Sequence, residues 1–212
     1  EDKDLLVWFN GLCKGTYLEM GALEGEAYSN SWFFNKAPGM EWRGILIEAS
    51  PSNFAKLQEK RTNEIAKINE AVCKAKSTVH FVEYTAMSGI WEFAPQSFKE
   101  RWWLSHGITI DKTKPLTCRP LHEILSENIV YPDYFDFFSL DVEGAEFKVL
   151  ESVDFDKVGF GVIVAECDRH DPMKNFALRT FLEKRGYGHF KTDERNCWFY
   201  NLDWANIYKD FY

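Results

Sequence analysis

Two glycines and two carboxylates stand together in LEMGALEG (18–25), directly after a short apolar run. Gly21 and Gly25 let the backbone turn tightly and approach a ligand. Glu19 and Glu24 set the charge that such a ligand has to carry. A dinucleotide site wants GxGxxG, so that pyrophosphate meets packed amides at a helix end. Here the order is Glu-x-Gly-x-x-x-Gly, and carboxylates repel pyrophosphate. They suit S-adenosylmethionine, which carries an amine and a sulfonium and no phosphate. Glu48 closes the next strand, RGILIEA (43–49), where an acid accepts both hydroxyls of a ribose. The plain alternative is an ordinary strand-end turn followed by a surface acid.

A second set of acids lies further on. In FFSLDVEGAE (137–146), Asp141 sits where an apolar strand gives way to a helix, with Glu143 and Glu146 behind it. Acids in a first helical turn are favourable in themselves. That accounts for Glu143 and Glu146 better than for Asp141. In VIVAECDRHD (162–171), Glu166 ends the next apolar strand, and Asp168, His170 and Asp171 follow. Asp141 and Glu166 at adjacent strand ends suit either of two chemistries. One carboxylate could serve as a base or orient an acceptor hydroxyl. Alternatively the pair could hold a hard divalent ion that polarises that hydroxyl. His170 is a candidate base or third ligand, or simply a loop histidine.

These residues need strands to carry them. Strand-like runs cover 16–20, 43–49, 65–72, 77–83, 134–142 and 160–167. Helical patterns cover 26–36, 51–61, 120–128, 143–152 and 172–187, and 187–191 with 196–201 reads as a closing hairpin. Strands that alternate with helices imply a largely parallel sheet covered on both faces. One domain over 1–212 is expected, with 1–14 as a leading helix or arm and 87–130 as a cover on the substrate side. The 87–107 stretch is aromatic-rich. Phe98 and Trp102 can share a helix face, which leaves Trp103 as a candidate pocket wall. Lys99, Arg101 and Arg119 could hold an anionic acceptor.

The chain of 212 residues is 45% hydrophobic and 27% charged, with a net charge of -8. That balance is globular and argues against nonspecific nucleic-acid binding, which needs Lys and Arg. No run is apolar enough to span a bilayer. The five cysteines show no metal spacing and several fall in apolar strands, where buried free thiols are expected. On that basis a cytoplasmic setting is slightly favoured, with a secretory compartment or a membrane-tethered parent protein as alternatives. Oligomeric state stays open.

GTYLEMGALEGEAYSNSWFFNK, WRGILIEASPSNFAKLQEKR and FDFFSLDVEGAEFKVLES together resemble the FkbM-type family of S-adenosylmethionine-dependent methyltransferases. The resemblance runs from about 15 to 202 and is weakest between 90 and 130. It implies a class I methyltransferase, a Rossmann-like three-layer sandwich with a mostly parallel seven-stranded sheet and an antiparallel C-terminal edge. It also implies methyl transfer from S-adenosylmethionine, with S-adenosylhomocysteine as product, to a hydroxyl oxygen of a small-molecule acceptor. On the family pattern Glu19 and Gly21 meet the methionine portion, and Glu48 meets the ribose. Ala49 and Ser50 border the adenine, as do Ala71 and Val72 in NEAV. Ser88 and Gly89 match a small-residue turn near the cofactor. Tyr28, Ser29 and Asn30 match a block that binds the cofactor or braces its loop. Asp141 faces the transferred methyl, acting on the acceptor or binding the cofactor through its amine, with Glu143 supporting the loop. The alternative is a non-catalytic binding module that retains the fold.

Overall fold

The computed structural model describes residues 2–130, 133–167, 171–193 and 195–209. Among these, the strands in chain order are β1 (Thr16–Met20), β2 (Arg43–Ile47), β3 (Ala66–Ile68), β4 (Ala71–Val72), β5 (Ser77–Val82), β6 (Gly89–Ile90), β7 (Lys114–Arg119), β8 (Asp133–Leu140), β9 (Val158–Glu166), β10 (Tyr187–Thr192) and β11 (Asn196–Asn201). Seven of them form one sheet in the order β10-β11-β9-β8-β1-β2-β3. Its inner pairings are parallel, and β11 runs antiparallel to both β9 and β10. The α/β alternation and the short closing hairpin are thus realised as the expected architecture.

The central strands read as unbroken apolar runs because helices cover both of their faces. Helices Leu121–Ser126, Glu146–Leu150 and Pro172–Glu183 pack Leu125, Val149 and Leu178 against Leu18, Phe138 and Ile163. On the opposite face, Asp2–Phe9, Trp32–Lys36 and Pro51–Lys60 pack Phe9, Phe34 and Leu57 against Tyr17, Leu46 and Val162. The leading segment is therefore an integral part of one layer. Helix Pro51–Lys60 starts where its sequence says it should: Ser50 Oγ accepts from Asn53 N, and Pro51 fills the first turn.

Several expectations change. The helix expected over 26–36 shrinks to Trp32–Lys36, and 21–31 is a loop with Leu23 and Tyr28 at positive φ. The strand expected over 65–72 breaks at Asn69. β3 stays beside β2, whereas β4 joins a second sheet, β4-β7-β5-β6. Asn69 Nδ2 donates to the Glu48 carbonyl at 2.7 Å, replacing main-chain pairing at the break. Trp103 is fully buried, donates Nε1–H to the Met87 carbonyl at 2.8 Å and packs edge-on against Phe98. It is core and not a pocket wall. Arg119 is engaged by Glu70 and Glu127, while Lys99 and Arg101 lie over the Trp91 and Trp102 rings.

The free-thiol expectation also fails. Strand register brings Cys73 to Cys118 and Cys167 to Cys197 with Cα separations of 5.7 and 5.6 Å, and both pairs are disulfides. Cys13 remains a free, exposed thiol. The preference for a cytoplasmic setting rested on buried thiols and loses that support. No helix among the described residues is long and apolar enough to cross a membrane.

Candidate functional site

Sheet order reverses at β1, which has β8 on one side and β2 on the other, so a crevice opens at the carboxyl ends of β1 and β8. Gly21 stands there at φ +78°. A Cβ on this residue would lie 1.8 Å from the Asp141 carbonyl oxygen, so only glycine lets the two strand ends meet. Asp141 N donates to the Met20 carbonyl at 3.2 Å, and Gly21 N to the Ile47 carbonyl at 3.1 Å, which ties the ends of β8, β1 and β2 together.

A cleft of about 730 Å3, its open mouth included, runs across these strand ends. Ile47, Ala49, Ala71, Val72, Phe81 and Ile90 give it apolar walls. Glu48 stands at its waist. One carboxylate oxygen accepts from Leu23 N at 2.8 Å and the other from Ser50 N at 2.7 Å. An ionised carboxylate offers about four acceptor sites, so the remaining lone pairs can take the two hydroxyls of a ribose. Burial, with Glu83 nearby, raises Glu48 to about 7. The lining includes Glu48, Glu70, Asp141 and Glu143, and no Lys, Arg or His among the described residues. That charge pattern fits a phosphate-free cationic cofactor such as S-adenosylmethionine and opposes a pyrophosphate.

Beneath the loop lies a buried charged hub. Glu19 is 2% exposed and accepts from Ser29 Oγ at 2.9 Å, from Asn30 N at 2.8 Å and from Ser31 Oγ. Arg61, fully buried, donates to the Gly25 carbonyl at 2.7 Å, to Ser29 Oγ and Ser31 Oγ at 2.9 Å, to Tyr17 Oη at 2.8 Å and to Glu64 at 2.9 Å. Burial raises the proton affinity of Glu19, while Arg61 and the hydroxyl donors oppose that rise.

A second cavity, of about 890 Å3 with its mouth, adjoins the first. Tyr28, Asn30, Asp141, Glu166, Asp193, Arg195 and Asn196 line it, and Tyr28 and Asp141 belong to both cavities. Asn196 pairs with Glu166 across β11 and β9, so the hairpin turn stands beside the end of β9. Arg195 donates to Glu166 at 2.9 Å. Glu143 is held well above the usual carboxylate range by burial first, then by the charges of Asp141, Glu166 and Glu146. Glu166 is raised by burial and by Asp141 and Glu146, and is pulled back by Lys174 and Arg195. The group therefore retains a proton where isolated carboxylates would be ionised.

Oxygens of Asp141, Glu146 and Glu166 lie within 4.8 Å of one another, the spacing of a three-carboxylate cation site. Glu146 is already engaged, however. It accepts from Val142 N, from Gly144 N and, at 2.6 Å, from Lys174 Nζ. With Arg195 on Glu166, ammonium and guanidinium groups supply the positive charge that a metal would otherwise bring.

Of the residues singled out from sequence, Gly21, Glu48, Ala49, Ala71, Val72, Ser88, Asp141 and Glu143 line the first cleft. Asn30, Asp141 and Glu166 line the second cavity. Glu19 and Ser29 line neither: their polar atoms serve the hub. Ser50 also lies outside both, capping its helix and donating to Glu83 at 2.9 Å. His170 and Asp168 fall outside the described residues. Within the expected cover, Ser88, Gly89 and Ile90 wall the first cleft, whereas 91–130 lines neither cavity. Sequence reasoning missed Arg61, Glu146, Arg195 and the placement of Tyr28. For Arg195 there was a signal: a hairpin that closes against the strand ending in Glu166 must bring its turn to that acid.

The Methyltransferase FkbM domain model matches residues 19–188. Among solved structures, a methyltransferase from Pyrococcus furiosus is similar at 13% identity, covering 95% of this chain and 82% of its own, with a TM-score of 0.44. A SAM dependent methyltransferase from Aquifex aeolicus is similar at 12% identity, covering 94% of this chain and 88% of its own, also at 0.44. No curated protein matches the chain.

Proposed function

Because the chain belongs to the FkbM methyltransferase family, we propose that it methylates an oxygen of a small hydroxylated acceptor held in the second cavity. The observation that carries this reading is Asp141, the carboxylate shared by the two cavities at the end of β8. Glu48 would hold the ribose of S-adenosylmethionine, and Ala49, Ala71, Val72 and Phe81 would enclose its base. When bound, that cofactor supplies an electrophilic methyl on a sulfonium. The remaining work falls to the chain itself. It must align the acceptor, remove a hydroxyl proton and exclude water.

Asp141 orients the acceptor hydroxyl and takes its proton. An isolated Asp, near pKa 3.9, is a weak base at neutral pH. Here it works beside Glu143 and Glu166, which burial and the neighbouring acids hold above the usual carboxylate range. The second cavity opens to solvent, which gives that proton an exit. In the competing mechanism Asp141 and Glu166 would hold a divalent ion, which would polarise the acceptor hydroxyl. One experiment tests both: methyl-donor turnover over a panel of small hydroxyl compounds, for the native protein and Asp141→Asn, with and without chelator. The base mechanism predicts a loss of about 100-fold in the variant and no chelator effect. Metal dependence would appear as chelator-sensitive native turnover restored by Mg²⁺. Near-native turnover of Asp141→Asn would refute both roles.

A further inference from the structure

Tyr28 combines three properties that rarely occur together. Its side chain is exposed, with 85% of the residue's surface open to solvent. Its backbone lies at φ +62°, a left-handed conformation that a bulky residue avoids. It lines both cavities and so stands at their junction beside Asp141. An exposed tyrosine in an unfavourable backbone conformation persists only where its surroundings dictate it.

Those surroundings are the hub. Ser29 Oγ, Asn30 N and Ser31 Oγ, immediately after Tyr28, are bound to Glu19, and both hydroxyls also accept from Arg61. Before Tyr28, Arg61 fixes the Gly25 carbonyl, and Ala27 N donates to Glu24 at 2.7 Å. Glu24 and Glu26 are themselves ion-paired with Lys60. The chain is thus clamped on both sides of Tyr28 while the ring is left uncovered. Such a clamp stabilises nothing through the ring itself. It presents the ring.

We infer that Tyr28 is the cofactor-covering ring of this site, presented by the Glu19–Arg61 hub to face the sulfonium side of bound S-adenosylmethionine and shield it from water. This rests on the methyl-transfer reading above: with the cofactor in the first cleft and the acceptor in the second, the methyl must pass where the two meet, at Tyr28 and Asp141. A tyrosine face attracts a cation, and the cleft lining, with four acids and no lysine or arginine among the described residues, holds nothing that would repel one. S-adenosylhomocysteine differs from the donor by the lost methyl and the lost sulfonium charge, so the ring discriminates between donor and product.

The test uses the native chain, Tyr28→Asn and Tyr28→Phe. Asn tolerates a left-handed backbone, which separates the ring from the strain. Thermal melting without ligand and calorimetric titration with S-adenosylmethionine and S-adenosylhomocysteine are the readouts. Tyr28→Asn is expected to melt at or above the native temperature. It should bind S-adenosylmethionine about tenfold more weakly, and S-adenosylhomocysteine no more than about threefold more weakly. Tyr28→Phe should bind as the native chain does. A lower melting temperature for Tyr28→Asn would make the ring a packing residue and overturn the assignment. So would unchanged donor affinity, or equal losses for the two ligands. Should the native chain bind neither ligand, the methyltransferase reading falls and takes this assignment with it. Native binding with an indifferent Tyr28→Asn overturns this assignment alone.

Discussion

Both halves of the site bury carboxylates, and they treat them oppositely. Glu19 is surrounded by donors: two serine hydroxyls, a backbone N–H and, one atom further, Arg61. Glu143 and Glu166 are surrounded mainly by other acids, against which Lys174 and Arg195 are the nearby cations. In the first half both oxygens of Glu19 are met by donors, so the result is a scaffold. In the second, matching is incomplete, so the group competes for protons. The same residue type builds framework or chemistry according to whether its partners are complete.

Arg61→Met would break this contrast most severely. It leaves Glu19 and Glu64 buried without their cation, and such a loss costs about 3–5 kcal/mol. Denaturant unfolding should show a stability drop of that size. A loss below about 1 kcal/mol would mean that the hub is not a scaffold.

Glu48 sits between the two regimes, bonded yet raised from an ordinary 4.5 to about 7. The folded chain holds this proton more tightly than the unfolded one. The resulting stabilisation is complete below the unfolded value and is lost as pH rises through about 7. A shift of this kind is worth about 1.4 kcal/mol per unit, so the whole window amounts to roughly 3 kcal/mol. Comparing the native chain with Glu48→Ala from pH 4 to 8, the native chain should lose stability relative to the variant. A constant difference across that range would refute the shift. The same variant should bind S-adenosylmethionine at least about tenfold more weakly, because two charge-assisted hydrogen bonds are removed.

The finest test pairs one substitution from each half. Glu143→Gln replaces a carboxyl that already retains its proton, so stability at pH 7 should change by less than about 0.5 kcal/mol. Glu19→Gln turns an amide N–H₂ toward groups that donate, and should cost about 1–3 kcal/mol. Equal costs, read from unfolding midpoints at constant slope, would dissolve the distinction.

Much of the fold and part of the site were legible in the sequence, and the residues show why. Gly21, Glu48 and Asp141 stand at the ends of apolar strands, where residue type and position together state a purpose. The sheet followed from alternation and from the uninterrupted runs of β8 and β9. Arg61 was not legible. Its partners Tyr17, Gly25, Ser29 and Ser31 are distant in sequence and meet it only once the helix Pro51–Lys60 docks. The disulfides were missed for the same reason, since each depends on cross-strand register. Trp103 misled because an aromatic in a poorly patterned stretch looks alike whether it lines a pocket or fills a core. Glu19 was read as a ligand contact, and nothing in LEMGALEG shows that three donors eleven residues on, give or take one, would occupy it.

The contact between Gly21 and the Asp141 carbonyl bears on how such a protein can change over generations. The ends of β1 and β8 abut there through main chain, with no room for a side chain between Gly21 and the Asp141 carbonyl. Their alignment is therefore independent of the identity of neighbouring side chains. The far wall of the second cavity comes from a different source, the hairpin turn with Asp193, Arg195 and Asn196. If the second cavity holds the acceptor, as proposed above, substitutions in that turn would exchange one acceptor for another without disturbing the register between Gly21 and Asp141. On that reading the molecule is divided into a fixed jig and a replaceable fixture, and a lineage built this way would explore new substrates by mutating a turn.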